Sequence, residues 1–149
     1  NSKPSVNSTE GVLYAEIASL VDGSNKGNRA ISISDGISSQ RVIMRFNNAE
    51  GVIQVFTTVS TTQANMSHNV GDTKDYYKVA MKYKLNDFSM FVNGTKVNTD
   101  TTGSVSSAGT LNVINFDEGN GNSDFFGKVK GLAVYNEALT DAQLIELTS

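Results

Sequence analysis

The chain has no cysteine and no tryptophan, and only one proline and one histidine, in 149 residues. Without cysteine it forms no disulfide, no zinc–thiolate site and no thiol nucleophile. A well-packed β-sandwich of this length does not need disulfides, so the absence leaves an extracellular life open. Charge is also sparse: 18% of residues are charged and the net charge is −3. No basic run is present to neutralise phosphates, so nucleic acid is not an expected partner. No apolar run approaches the ~18 residues of a membrane span, so membrane insertion is not expected either. The stretch from Asn1 to about Thr9 has no apolar signal core. It reads as a flexible polar linker, residues 1–9, ahead of one domain over 10–149, which suggests a module of a larger polypeptide.

What is present is a series of short alternating segments. Leu13, Ala15 and Ile17 share one face of a strand and Tyr14 and Glu16 the other. Val42, Met44 and Phe46 alternate with Arg41, Ile43 and Arg45. Val79, Met81, Tyr83 and Leu85 alternate with Lys78, Ala80, Lys82 and Lys84, and Phe88, Met90 and Val92 with Ser89 and Phe91. Such period-two patterns are half-buried strands. Asn93-Gly94 then marks a two-residue hairpin turn. Further strands are expected over RAISIS, VIQVFTTVS, TKVNT and LNVINF, with a short piece near Gln63 to Met66. Roughly ten short strands about 8–12 residues apart predict an all-β sandwich or barrel.

The chain closes on FFGKVKGLAVYNEALTDAQLIELTS. Val129 and Leu132 are an odd number of residues apart, so strict alternation would put them on opposite faces. Either both faces are covered there or a bulge near Gly131 resets the phase; glycine inside a strand favours the bulge. Thr140 and Gln143 have capping-box spacing, and Asp141 suits the positive end of a helix dipole. A short C-terminal helix follows, with Ala138, Leu139, Ala142, Leu144, Ile145 and Leu147 available as an apolar stripe. It is expected to close one end of the core.

These last residues carry a resemblance. Phe125, Gly127, Val129, Leu132, Val134, Tyr135, Asn136, Ala138, Leu139, Thr140, Gln143 and Leu144 fill a pattern that resembles the C-terminal signature of the concanavalin A-like lectin/glucanase superfamily, in its laminin G-like branch. The DFSMFVNGTKV hairpin at 87–97 is similar to that family's L-Y-V-N-G-x-x-V hairpin. The resemblance runs from about Thr9 to the end. It implies a two-sheet antiparallel jelly-roll sandwich, often glycan-binding, found in bacterial secreted and phage structural proteins. The wording of the last strand and helix resembles the phage versions most. Many relatives place acidic residues where this chain has Lys130 and Gly131, which puts their structural calcium in doubt here, since a lysine repels the ion.

No strand carries the E-x-D-x-x-E run of the superfamily's glucanases, which alternation would turn into an acid and a nucleophile on one face. Glu16 is alone on its strand, and the other carboxylates considered lie in turns. A non-catalytic domain is therefore expected. His68, in a polar stretch, reads as a solvated loop histidine, with a base or metal ligand as the alternative. The loop DEGNGNSD offers Asp117, Glu118 and Asp124 as oxygen ligands for calcium, or is simply a solvated turn. If the alternating strands are neighbours, Arg41, Arg45, Gln54, Lys82 and Phe91 form a basic outer face with one exposed aromatic, and Tyr14 and Tyr77 are further candidates. Such a face suits a polysaccharide or cell-surface glycan, an acidic or sulfated one in particular, or is simply a solvated sheet face whose positive charges block edge pairing. The leading expectation is a carbohydrate-binding module of an extracellular or virion protein. A phage tail or capsid adhesion domain without glycan binding is the alternative, and a polysaccharide hydrolase or lyase a weaker one.

Overall fold

The computed structural model describes residues 6–23 and 27–149. Among them are ten strands and one helix: β1 (Glu10–Ser19), β2 (Arg29–Ser34), β3 (Gln40–Phe46), β4 (Val52–Val59), β5 (Thr61–Asn69), β6 (Tyr77–Lys84), β7 (Phe88–Val92), β8 (Thr95–Asp100), β9 (Val113–Asn115), β10 (Gly127–Tyr135) and α1 (Asp141–Thr148). They form two five-stranded sheets, ordered β10-β1-β6-β7-β8 and β5-β4-β3-β2-β9. Every pairing is antiparallel. This is the jelly-roll sandwich the sequence predicts.

The core follows from the alternation. Leu13, Ala15 and Ile17 of β1, Val79, Met81 and Tyr83 of β6, and Phe88 and Met90 of β7 form one inner layer. Ile31, Ile33, Val42, Met44, Phe46, Ile53 and Val55 form the other. Each is at most 3% exposed, and burying one such large side chain stabilises the fold by about 1.5–3 kcal/mol. The β7–β8 turn has Asn93 at φ 48° and Gly94 at φ 82°, the left-handed pair that a type I′ hairpin requires.

The bulge lies where the last strand's phase demands it. Glu16 opposes Gly131, but Ile17 opposes Val129. Lys130 is the extra residue, so Val129 and Leu132 both fall opposite inward-facing residues of β1.

Two features differ from the sequence reading. The linker expected over residues 1–9 does not extend through residues 6–9, while its first five residues lie outside the described ones. Val6 packs on the core, Ser8 is buried and accepts a hydrogen bond from the Leu111 amide, and the Asn7 carbonyl accepts one from the Tyr83 hydroxyl at 2.7 Å. Short polar side chains read as linker here because their burial depends on residues a hundred positions away.

The helix also sits elsewhere than expected. Its capping box forms, with Gln143 and Thr140 bonding reciprocally. Yet α1 does not close an end of the core. It lies on the outer face of the β1 sheet, where Leu144 packs with Val12, Ala80 and Phe91. Those three residues are outward-facing and apolar, so the sheet carries a second apolar strip that needs a cover. Leu139 and Leu147 join the contact, while Ile145 is 42% exposed. Lys96 pairs with Asp141 at 2.7 Å, and the Gly94 amide donates to the Thr148 hydroxyl.

Tyr83 provides a test of the packing. Burial, and secondarily Glu10, raise its phenol well above the ordinary 10.0. Above that pH the unfolded chain loses a proton that the folded chain keeps. The stability tied to this group is therefore complete below about pH 10 and falls by up to about 1.4 kcal/mol per unit above it. Urea midpoints should decline from about pH 10 upward, and Tyr83→Phe should flatten that decline.

Candidate functional site

Outward positions of β3 and β4 build a polar cluster around one aromatic ring. Register sets Arg41 against Thr58, Ile43 against Phe56 and Arg45 against Gln54. On β5, Asn65 stands opposite Phe56 and Ser67 opposite Gln54. Phe56 is 6% exposed and packs with Ala30 and Ile43. Both guanidinium carbons lie over its ring, Arg41 Cζ at 5.2 Å and Arg45 Cζ at 4.8 Å from the centroid. A phenyl face attracts such cations.

The loop after β9 supplies the counter-charge. Arg45 Nη1 contacts Glu118 Oε1 at 2.5 Å and Arg41 Nη1 lies 4.0 Å from Oε2, while Arg41 Nη1 also donates to the Glu118 carbonyl at 2.7 Å. The loop can come this close because residue 119 is glycine. It has φ 88°, and a Cβ there would meet the Ile37 carbonyl and Ser34 Cβ at 2.9 Å. An amide chain extends the cluster: Arg45 Nε and Asn47 Nδ2 both donate to Gln54 Oε1 at 2.8 Å, and Gln54 Nε2 donates to Asn65 Oδ1 at 2.7 Å.

Two guanidiniums thus share one carboxylate. The three side chains are only 15–17% exposed. Burial pulls the Arg41 pKa down; Glu118 opposes that pull and Arg45 adds to it. One positive charge is left uncompensated in a largely dry setting. Its planar donor geometry matches a carboxylate or sulfate, which arginine can bind in a two-pronged manner.

The structure divides the remaining candidates. Arg41, Arg45 and Gln54 share this face, but Lys82, Phe91 and Tyr14 belong to the other sheet. The single basic face expected from sequence does not exist, because β3 and β6 lie in different sheets. Phe91 is not the exposed aromatic: it is fully buried under α1. Lys82 is 8% exposed and pairs with Asp87 at 2.8 Å. The Tyr77 ring packs against the core and its hydroxyl donates to the carbonyls of Val70 and Asp72. His68 lies on β5, half-buried, opposite Ile53, and not in a loop.

The calcium expectation also changes. Glu118 is turned into the arginines, and Asp117 Oδ1 accepts the Gly119 amide as a turn closure. Among the described residues no three His, Cys, Asp or Glu side chains gather as a metal site. Asp117 and Glu118 are thus engaged separately, and Asp124 is exposed.

Phe56 and Asn65 were missed as site residues, and so was Glu118 as an arginine partner. Alternation within VIQVFTTVS does put Gln54, Phe56 and Thr58 on one face. Nothing local ties Glu118 to residues more than seventy positions away.

A family model described as the concanavalin A-like lectin/glucanases superfamily, of the laminin G type, matches residues 9–145. The chain belongs to this superfamily. None of the curated proteins matches it. Among solved structures, the CBM40 domain of the Ruminococcus gnavus IT-sialidase, bound to α2,3-sialyllactose, superposes with a TM-score of 0.75 at 14% identity, covering 96% of this chain and 84% of that one. A leech intramolecular trans-sialidase gives 0.71 at 16% identity over 95% of this chain, which spans only 23% of that enzyme. A heptameric SAP-like pentraxin from Limulus polyphemus gives 0.62 at 13% identity, over 100% of this chain and 78% of that one. At these identities the likeness is one of fold.

Because Glu118 is turned into the arginines and Asp117 closes a turn, the domain should melt at the same temperature in EDTA and in millimolar calcium. A ligand bound only by the folded state would raise that temperature, so a calcium-dependent rise in differential scanning fluorimetry would show that the loop does gather ligands.

Proposed function

We propose that the domain is a non-catalytic carbohydrate-binding module whose Arg41–Arg45 face takes an acidic glycan. The observation that carries this reading is the pair of guanidiniums that lie over Phe56 and share one carboxylate. A sugar carboxylate or sulfate supplies the missing charge. The Gln54–Asn65 amide chain beside it can exchange hydrogen bonds with sugar hydroxyls. Structural neighbours support the same class: the Ruminococcus gnavus domain is bound to α2,3- and α2,6-sialyllactose, and sialic acid carries a carboxylate. On this reading the module works outside the cell, as part of a secreted bacterial or virion polypeptide.

A second reading has one observation in its favour. Phe116 is 51% and Phe126 60% exposed, and the Phe125 amide, one residue before Phe126, donates to the Phe116 carbonyl. Exposed aromatics of this kind suit a protein contact, as a structural or adhesion domain would need.

A glycan array tests both. Sialylated or sulfated glycans should bind and their neutral parents should not. Arg45→Ala should weaken binding by roughly 10- to 100-fold, the worth of a charge-assisted hydrogen-bond pair. Absence of any acidic glycan signal, or a signal indifferent to Arg45→Ala, would overturn the proposal in favour of the protein-contact reading. Turnover of a polysaccharide would overturn the non-catalytic part.

A further inference from the structure

The outer face of the β1 sheet is only partly covered. α1 packs mainly on β6, β7 and β8 and its Leu144 also covers Val12 of β1, so the face is less covered only beyond the helix, toward the end of β10. Between the helix and β10 runs a groove of about 350 Å³ lined by Tyr135, Leu139, Gln143, Glu146 and Leu147. It is a shallow depression open to solvent rather than one of the enclosing clefts of ~300–1,000 Å³ that bury most of a ligand, so it suits one sugar unit held weakly. Of β10 only Tyr135 lines it; this outward residue stands opposite Val12 of β1 and packs in the cluster that Leu139 and Leu147 also join.

The polar groups of this groove are unlike those of the arginine face. Tyr135 offers a phenol that both donates and accepts. The hydrogen bonds of the Gln143 side chain all use Oε1, in the helix cap, which leaves its amide NH₂ to donate outward. Glu146 supplies an acceptor carboxylate. Apolar walls, one aromatic ring, donors and an acceptor together suit a ligand that has an apolar ring face and hydroxyls that both donate and accept. The Glu146 carboxylate disfavours an anion. A simple cation would have no use for the phenol and amide donors.

We infer that the groove between α1 and β10 is a second carbohydrate site, which takes a neutral hexose unit of an oligosaccharide. It lies on the sheet opposite the arginine face, so the domain would hold a glycan chain, or two chains, from both sides.

The test is a titration of the ¹⁵N-labelled domain followed by amide chemical shifts, with lactose, maltose and cellobiose each to about 20 mM, as befits the weak affinity of a shallow site, and with choline chloride as the cationic probe. At least one disaccharide should move the amides of Tyr135 and of residues 139–147. It should do so equally in Arg45→Ala, which separates this site from the acidic-glycan proposal. Tyr135→Ala should weaken the response by about tenfold, equal to about 1.4 kcal/mol. Glu146→Ala, at an exposed position that the fold does not depend on, should weaken it several-fold and decides the matter if Tyr135→Ala does not fold. No shift with any disaccharide, shifts with choline alone, or shifts unchanged by Glu146→Ala would each overturn the inference.

Discussion

A strand has two faces, and a sandwich uses only one of them for its core. That constraint governs this domain. Every inward set, from Leu13-Ala15-Ile17 to Val42-Met44-Phe46, must stay in phase with its neighbours, because a slip of one residue would turn it out to water. The strands are then left with outer faces whose fates differ. On β3 and β4 the outward residues are arginines, an amide and Phe56, and they make a charged cluster. On β1, β6 and β7 they are Val12, Ala80 and Phe91, and they require a helix on top. Chemistry and architecture are thus written on the residues that the core does not use.

The charge arrangement follows from the same division. On the β1 sheet two lysines pair one to one with acids, Lys82 with Asp87 and Lys96 with Asp141. On the opposite sheet two arginines converge on one glutamate. Pairs exposed to water contribute little, whereas a shared carboxylate over an aromatic ring leaves a cation poorly solvated and positioned. A chain with a modest net charge of −3 can therefore carry a locally positive, structured face.

Much of the fold was legible in the sequence. Alternation located the strands, Asn93-Gly94 the hairpin, Thr140 and Gln143 the helix cap, and the odd Val129–Leu132 step the bulge, because each depends on residues close together. The site was legible in part. Arg41, Arg45 and Gln54 could be placed on an outer face, since parity is local. Which sheet that face belongs to is decided by topology, and so Lys82 and Phe91 were grouped with residues on the far side of the molecule. Phe91 also shows that an outward aromatic is not an exposed one until the positions of later elements are known. The contacts of Ser8 with Leu111 and of Glu118 with the arginines join distant positions, beyond the reach of any local pattern.

The Lys130 bulge has a consequence beyond aligning the last strand. β10 is an outermost strand of nine residues, and such a strand is a template for a neighbouring chain. The unpaired residue breaks the regular ladder midway. It also sets an ammonium group 4.0 Å from the Tyr76 ring centroid, and Lys128 stands exposed further along. Annealing of one such edge onto another would have to bury these charges. Copies tethered close together, on a surface or along one polypeptide, are thereby discouraged from fusing into a continuous sheet, and each remains a separate folded unit.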